Sequence, residues 1–190
     1  GSPNVIGAVA LGAAIGELER IGWPAIESHD RGLSRRLYAG LRAIHGVRVI
    51  RQSLAILEYL DEAWPSPRLL PMTARDRARV RSLAQLVAAD IHPLNNLRVM
   101  RYFEQTWSVP QSERDEWTKH WIVEGFDAME ALLANDAATG TYCHGQTPGL
   151  ADCCLVPQVF NARRFGVDMA AFPTIARIEQ ACLELPAFAD

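Results

Sequence analysis

The chain has 190 residues, 49% of them hydrophobic and 22% charged, which fits a folded domain with or without a smaller appendage and excludes a disordered chain. The formal net charge of −3 excludes a general electrostatic attraction to nucleic acid or anionic lipid. The longest apolar stretch, residues 5–15, is shorter than the roughly 20 residues that span a membrane, so we expect neither nucleic acid nor membrane as partners.

The first 50 residues predict two helices and a short strand. Helix-starting residues precede a first helix that runs from about residue 2 to 21, where Gly22 ends it. Pro24 suits the first turn of a second helix, which Gly46 closes. The β-branched residues at 47–50 then predict a strand with no partner later in the chain. Because isolated strands are not stable, this segment is typical of a piece taken from a larger sheet.

From residue 52 onward the pattern is helical. A first helix ends at the prolines that follow Trp64, and Thr73 with Asp76 predicts the N-cap of the next one. Apolar residues at helical spacing predict its buried stripe: Val80, Leu83, Ala84, Val87 and Ile91. Pro93 is expected to bend or interrupt that helix.

The remaining residues predict three more helices. Ser112 with Asp115 should open a long helix, whose buried stripe is Trp117, Trp121, Phe126, Met129 and Leu133. Residues 135–147 are predicted to be a loop, and further helices are expected over residues 150–165 and from Pro173. The prediction is an all-α bundle of roughly five or six helices over about 138 residues, enough to bury its own core.

Three stretches of this bundle resemble zeta-class glutathione transferases. Residues 52–60 (QSLAILEYL) resemble the segment in which these enzymes finish their thioredoxin-like domain, and residues 90–99 (DIHPLNNLRV) resemble the zeta-class signature of bacterial maleylacetoacetate and maleylpyruvate isomerases. Residues 149–165 (GLADCCLVPQVFNARRF), with residues 172–175 (FPTI), resemble the capped core helix of the family. The resemblance implies an all-α bundle of the glutathione transferase C-terminal type over residues 51–190.

The resemblance also implies a partial glutathione site. Gln52 and Ser53 stand at a helix N-terminus, where free backbone N–H groups favour a carboxylate; in the family this position holds the γ-glutamyl end of glutathione. Simple helix capping is the alternative interpretation of these two residues. The resemblance adds His92 and Asn96 to the glutathione-binding set, although His92 taken alone is more typical of a structural histidine.

Two arginines are predicted to bind substrate, and a further pair to be structural. Arg98 and Arg164 correspond to arginines that steer substrate carboxylates in zeta enzymes, while for either residue alone a solvated surface position is the alternative. Gly149 and Asp152 predict a capping box that begins the core helix.

The cysteine pattern bears on compartment and metal content. The four cysteines are not spaced like a disulfide framework or a zinc site, so we expect a reduced, cytoplasmic protein without a metal. Cys153 and Cys154 lie within the core helix and are interpreted as small buried hydrophobic residues.

The N-terminal segment resembles a different family, the class V pyridoxal-phosphate enzymes of the cysteine desulfurase type. The similarity lies in residues 1–14, 21–22 and 46–50. The cofactor-binding lysine of that family would lie upstream, so no pyridoxal phosphate is expected, and Ser2 is interpreted as a helix cap. The chain therefore reads as a fusion of an appendage, residues 1–50, with a helical domain, residues 51–190. Because it begins with Gly1 rather than Met, we expect a piece of a longer or processed protein.

The zeta-class resemblance implies glutathione-dependent cis–trans isomerisation of maleylacetoacetate, in aromatic amino-acid catabolism. The family's catalytic motif contains serine and cysteine in a thioredoxin-like domain, and no Ser-Ser-Cys occurs in these 190 residues. We therefore assign no catalytic residue and expect little or no turnover. The alternative is a non-catalytic helical module that binds a small anion and forms homodimers or otherwise self-associates.

Overall fold

The computed structural model describes residues 16–45 and 52–188. The chain divides into two compact units, Gly1–Ile50 and Arg51–Asp190. In the described stretches every regular element is helical. The predicted all-α class is therefore confirmed; the strand expected at residues 47–50 lies outside the described residues.

The described part of the first unit is a helix-turn-helix. Residues 16–21 are helical, and Gly22 adopts a positive φ of 84° before helix α1, Trp23–Ala43. Pro24 occupies the first turn of α1, as predicted. The expected end at Gly46 is wrong, because Ile44 already has an extended backbone and α1 ends at Ala43.

The second unit is a bundle of helices linked by short loops. In chain order it contains α2, Ser53–Ala63; α3, Ala74–Gln85; a π-helix, Leu86–Ile91; α4, His92–Leu94; α5, Leu97–Trp107; α6, Gln111–Ala134; α7, Leu150–Arg164; a 3₁₀ turn, Met169–Ala171; and α8, Pro173–Leu183.

The core lies where α3, the π-helix, α6, α7 and α8 meet. The whole predicted stripe of α3 and the π-helix is buried, and so are the last three residues predicted for α6. Trp117 and Trp121 are only half-buried, because they lie near the end of α6 that faces α5. The α7 contribution comes from Leu155 and Val159, and the α8 contribution from Ile175 and Ile178.

A glycine allows the closest helix contact in this core. A Cβ atom on Gly125 of α6 would lie 2.3 Å from Cγ1 of Ile91, the last residue of the π-helix. Real side chains do not approach this closely, so the absence of a side chain at residue 125 lets Ile91 fill the space and remain only 1% exposed.

Of two helix N-caps predicted from the sequence, the structure contains one and lacks the other. Thr73 caps α3 by accepting a hydrogen bond from the backbone N–H of Asp76 at 3.1 Å, as predicted. The predicted cap at Ser112 is wrong, since α6 begins at Gln111 directly after Pro110 and has no side-chain cap. The fixed φ of proline already favours the first helical turn there.

Two sets of polar contacts, one of them buried, hold the loops on the bundle. Asp61 is 6% exposed, and its Oδ1 accepts hydrogen bonds from the backbone N–H groups of Leu69 and Leu70 at 2.5 and 3.2 Å. Arg79 of α3 donates to the carboxylate of Asp136 and to the carbonyl oxygen of Cys143, at 2.6 and 2.7 Å. These contacts fix the segments on either side of the start of α7.

Candidate functional site

The N-terminus of α2 is open to solvent. Gln52 is the N-cap residue, with a positive φ of 73°, and makes no side-chain capping bond; Ser53 is the first helical residue. Both are exposed. The first N–H groups of a helix have no acceptor within it, so this end can bind a carboxylate through backbone N–H groups and the helix dipole.

The segment between α3 and α5 contains a change of helix type. The π-helix ends where the N–H of His92 bonds to the carbonyl oxygen of Val87, five residues earlier. Pro93 follows in the first turn of the short helix α4, which ends at Leu94. The interruption predicted at Pro93 is confirmed, and its form, a π-helical turn, is frequent at functional sites.

The polar residues of this segment have different environments. His92 and Arg98 are exposed and Asn96 is half-buried. Asn96 caps α5, because its Oδ1 accepts a hydrogen bond from the backbone N–H of Arg98 at 3.1 Å. The side-chain amide of Asn95 is buried, and neither its oxygen nor its nitrogen has a partner in the described part of the chain. The capping bond therefore fixes Asn96, while Asn95 points inward.

Two side chains of helix α6 contact α4 and α5. The indole Nε1–H of Trp117 donates to the carbonyl oxygen of Leu94 at 3.0 Å, which holds the end of α4. Arg114 is 8% exposed and forms an ion pair of 3.0 Å with Glu104 on α5. The sequence analysis missed both contacts, since no local pattern links residues that lie on different helices.

The last turn of α7 presents two arginines with different partners. Arg163 forms an ion pair with Glu179 of α8 at 2.5 Å, and this hydrogen bond raises the pKa of the guanidinium. Arg164 is exposed, and its guanidinium carbon lies 5.8 Å from the ring centre of Phe165. Within residues 16–45 and 52–188, neither Arg164 nor Arg98 forms a side-chain ion pair or hydrogen bond, so both charges are available to an anion.

The predicted binding residues thus occupy three places in the fold. His92, Asn96 and Arg98 share the junction of α4 and α5, whereas Gln52 and Ser53 lie at the start of α2 and Arg164 at the end of α7. Helix α2 packs against α7. No hydrogen bond or ion pair of the described residues joins the three groups.

Hydrogen bonds to the Asp152 carboxylate fix the start of α7. The Asp152 carboxylate is 1% exposed; its Oδ2 accepts from the backbone N–H of Gly149 at 2.8 Å and its Oδ1 from that of Cys143 at 2.9 Å. Gly149 allows the backbone at Leu69 to approach closely, because a Cβ atom on residue 149 would lie 2.8 Å from the carbonyl oxygen of Leu69. A cleft of about 300 Å³ opens beside it, between residues 68–72 and 144–149, away from every predicted binding residue.

The surroundings of the four cysteines raise their pKa values. Burial, with a further contribution from the neighbouring Asp152 charge, raises the pKa of Cys182 to about 12 and keeps that of Cys143 well above its ordinary value. Burial likewise raises the pKa of Cys154 to about 11 and raises that of the half-buried Cys153. A nucleophilic cysteine needs a lowered pKa, so these four are structural.

Residues 16–45 and 52–188 contain no cluster of three or more histidine, cysteine or acidic side chains placed to hold a metal ion. Within the same ranges no helix combines the length and the apolar character that crossing a bilayer requires.

The chain is similar to known proteins of two different families. The Aminotransferase class-V family matches residues 1–56, which confirms the resemblance of the N-terminal segment. Maleylpyruvate isomerase of a Ralstonia species is 50% identical over 143 residues, which make up 75% of this chain and 68% of that protein.

Solved structures of the same family are also similar to this chain. A holo structure of a zeta-class bacterial maleylpyruvate isomerase superposes with a TM-score of 0.74 at 49% identity, covering 77% of this chain and 69% of that one. Maleylacetoacetate isomerase of Anaeromyxobacter dehalogenans, with glutathione in its active site, gives a TM-score of 0.70 at 41% identity over 77% of this chain and 66% of that one. The chain thus spans about two thirds of the length of these relatives, and it belongs to the zeta-class glutathione transferase family of maleylpyruvate and maleylacetoacetate isomerases.

Proposed function

We propose that these 190 residues bind glutathione and a small dicarboxylate, and that they supply the substrate-carboxylate side of a glutathione-dependent cis–trans isomerase. The observation that carries the proposal is the pair of exposed arginines, Arg98 and Arg164, neither of which has an ion-pair partner within the described residues. Two cationic side chains suit a substrate with two carboxylates.

The glutathione contacts follow from the open helix end and the helix junction. The free N–H groups after Gln52, beginning with Ser53, bind the γ-glutamyl carboxylate. His92 and Asn96 contact the rest of the tripeptide, and the capping bond of Asn96 keeps its side chain in place for this role. Glutathione is the only cofactor that the proposal requires.

Turnover needs more than these groups. In the isomerisation the glutathione thiolate adds to the double bond of the maleyl substrate, a rotation follows, and the thiolate leaves. An unperturbed thiol is only a few per cent ionised at pH 7, so the reaction depends on a group that favours the thiolate. The four cysteines have raised pKa values, and residues 1–56 resemble another family. We therefore expect binding without rapid chemistry.

Two measurements test the proposal. Calorimetry should detect glutathione binding to the purified chain, weakened when Ser53→Pro removes a backbone N–H from the start of α2. With maleylpyruvate and millimolar glutathione, isomerisation should not exceed the background of glutathione alone. Saturable turnover that Arg98→Ala abolishes would refute the expected inactivity, and the absence of any glutathione binding would refute the binding function.

Exposed apolar side chains favour a second function, self-association. The exposed fraction is 63% for Trp64, directly after α2, and 67% and 62% for Leu97 and Trp107 of α5. Apolar surface of this kind commonly marks a protein–protein contact. Sedimentation of the purified chain over a range of concentrations should reveal a dimer, and a monomer at all concentrations would remove this function.

A further inference from the structure

The side chain of Trp117, on α6, contacts both helices that flank the junction of α4 and α5. Its indole Nε1–H donates to the carbonyl oxygen of Leu94, the last residue of α4, at 3.0 Å. Its ring meets the ring of Phe103, on α5, edge to face, with 5.0 Å between the ring centres and 84° between the planes. Asn95 and Asn96 lie between these two points of attachment. One side chain therefore fixes both helices relative to α6.

The backbone does not join the two helices directly. In the part of the chain that the structure describes, no backbone hydrogen bond runs from α4 to α5. The N–H of Asn95 bonds back to the carbonyl oxygen of His92 at 3.2 Å, whereas the N–H of Val99 bonds to the carbonyl oxygen of Asn96 at 2.8 Å. The last carbonyl groups of a helix have no donor within it, so the carbonyl oxygen of Leu94 is free to accept from Trp117. The placement of α4 relative to α5 thus depends on contacts with α6.

Other side chains of α6 contact α5 but not α4. Arg114 pairs with Glu104 at 3.0 Å, and the hydroxyl oxygen of Thr118 lies 3.5 Å from the sulfur of Met100. Among the side-chain hydrogen bonds and ion pairs of residues 16–45 and 52–188, the bond from Trp117 is the one that ties α4 to α6. Its loss should therefore loosen α4 while α5 stays attached.

We infer that Trp117 is a positioning residue for glutathione, because it fixes α4 against α5 and so places His92 and Asn96 around one ligand. The inference rests on the proposed binding of glutathione by these two residues. His92 lies on α4 and Asn96 caps α5, so a ligand that contacts both needs the two helices in one arrangement. A site that holds this arrangement for only a fraction of the time has its apparent affinity lowered by that fraction. One neutral hydrogen bond changes such an equilibrium by a factor of about two to ten.

Trp121 provides a matched control one turn further along α6. Its ring centre lies 5.6 Å from that of Trp117, and both side chains are half-buried. The indole Nε1 of Trp121 is buried, however, and has no hydrogen-bond partner within the described ranges. Replacing either tryptophan with phenylalanine removes an indole N–H and keeps an aromatic ring. Of the two substitutions, Trp117→Phe is the one that removes a hydrogen bond.

Calorimetric titration of the full chain with glutathione tests the inference. Trp117→Phe should weaken glutathione binding about two- to tenfold, whereas Trp121→Phe should change it by less than about twofold. Phe103→Leu, which removes the ring contact on α5 and leaves the indole hydrogen bond in place, should also weaken binding. This second variant tests the same role from the other helix.

Amide hydrogen exchange, measured by NMR without glutathione, distinguishes a local change from a general loss of stability. In Trp117→Phe the N–H of Asn95, at the end of α4, should exchange about two- to tenfold faster than in the unaltered chain. The N–H of Val159, in the buried part of α7, should exchange at an unchanged rate. A purely structural role of Trp117 would accelerate both.

The outcomes separate this inference from the proposed function. If the unaltered chain binds glutathione and Trp117→Phe binds it as tightly as Trp121→Phe does, the positioning role is refuted and the proposed function stands. Equal acceleration of exchange at Asn95 and Val159 would also refute it. If the unaltered chain binds no glutathione, the inference falls with the proposed function. Should circular dichroism show that Trp117→Phe does not fold, unchanged glutathione affinity in Phe103→Leu refutes the role and weakened affinity supports it.

Discussion

Replacing Asp152 with alanine leaves two backbone N–H groups without their acceptor. Cys143 is fully buried, so its N–H should lose the full value of a buried hydrogen bond, about 1–3 kcal/mol. Gly149 is half-buried and borders the 300 Å³ cleft, where water can replace the carboxylate, so its loss is about 0.5–1 kcal/mol. The substitution should therefore lower the free energy of unfolding by about 1.5–4 kcal/mol, which is a large fraction of the total for a domain.

Urea unfolding followed by circular dichroism measures this change, with the slope m compared to confirm a two-state transition. Asp168→Ala is the matched control. Asp168 also accepts a backbone hydrogen bond, from Ala170 at 3.0 Å, but on the exposed 3₁₀ turn, so its removal should cost about 0.5 kcal/mol. Equal losses for the two variants would show that burial of the Asp152 contacts does not set their strength.

Two further substitutions test the packing and the electrostatics. Gly125→Ala places a methyl group within 2.4 Å of two Ile91 atoms and should lower the free energy of urea unfolding by about 1–3 kcal/mol; Gly40→Ala, with no atom within 4 Å, should be neutral or stabilising. A harmless Gly125→Ala would mean that Ile91 can move freely. The hydrogen bond from Ala138, followed by that from Arg79, lowers the pKa of Asp136, so its contribution is complete above the unfolded-state pKa near 4 and is lost as the pH falls through the folded value. Asp136→Asn should therefore be less stable than the unaltered chain at pH 7 and approach it at pH 3, and a constant difference in urea unfolding across that range would contradict this account.

The sequence predicted those features that depend on neighbours along the chain. Helical spacing identified the buried stripe of α3, and the proline at residue 93 identified the interruption. It did not identify Asp61, which accepts hydrogen bonds from backbone N–H groups eight and nine residues away, because a single aspartate in a helix looks like a surface residue. Nor did it identify the role of Arg79, since its partners lie more than 50 residues further along the chain.

The site was less predictable than the fold for a related reason. Resemblance supplied the candidate residues, and among those residues only Gly149 and Asp152 make a hydrogen bond that their spacing predicted. The inward position of the Asn95 amide depends on how α4 meets α6. That meeting is a tertiary contact, and neither composition nor helical spacing contains it.

The π-helix determines which side of the bundle the residues of α4 and α5 face. A π-helical turn takes one residue more than an α-helical turn, and each residue of an α-helix advances the chain by about 100°. If Leu86–Ile91 took regular α-geometry with no residue deleted, α4 and α5 would therefore turn about their axis by roughly that angle. Ile91 would then leave its place against Gly125, and His92, Asn96 and Arg98 would emerge on a different side of the bundle. A further one-residue insertion at these six residues should therefore be tolerated far less than one in the exposed residues 64–68 after α2, although both segments look equally free of catalytic groups.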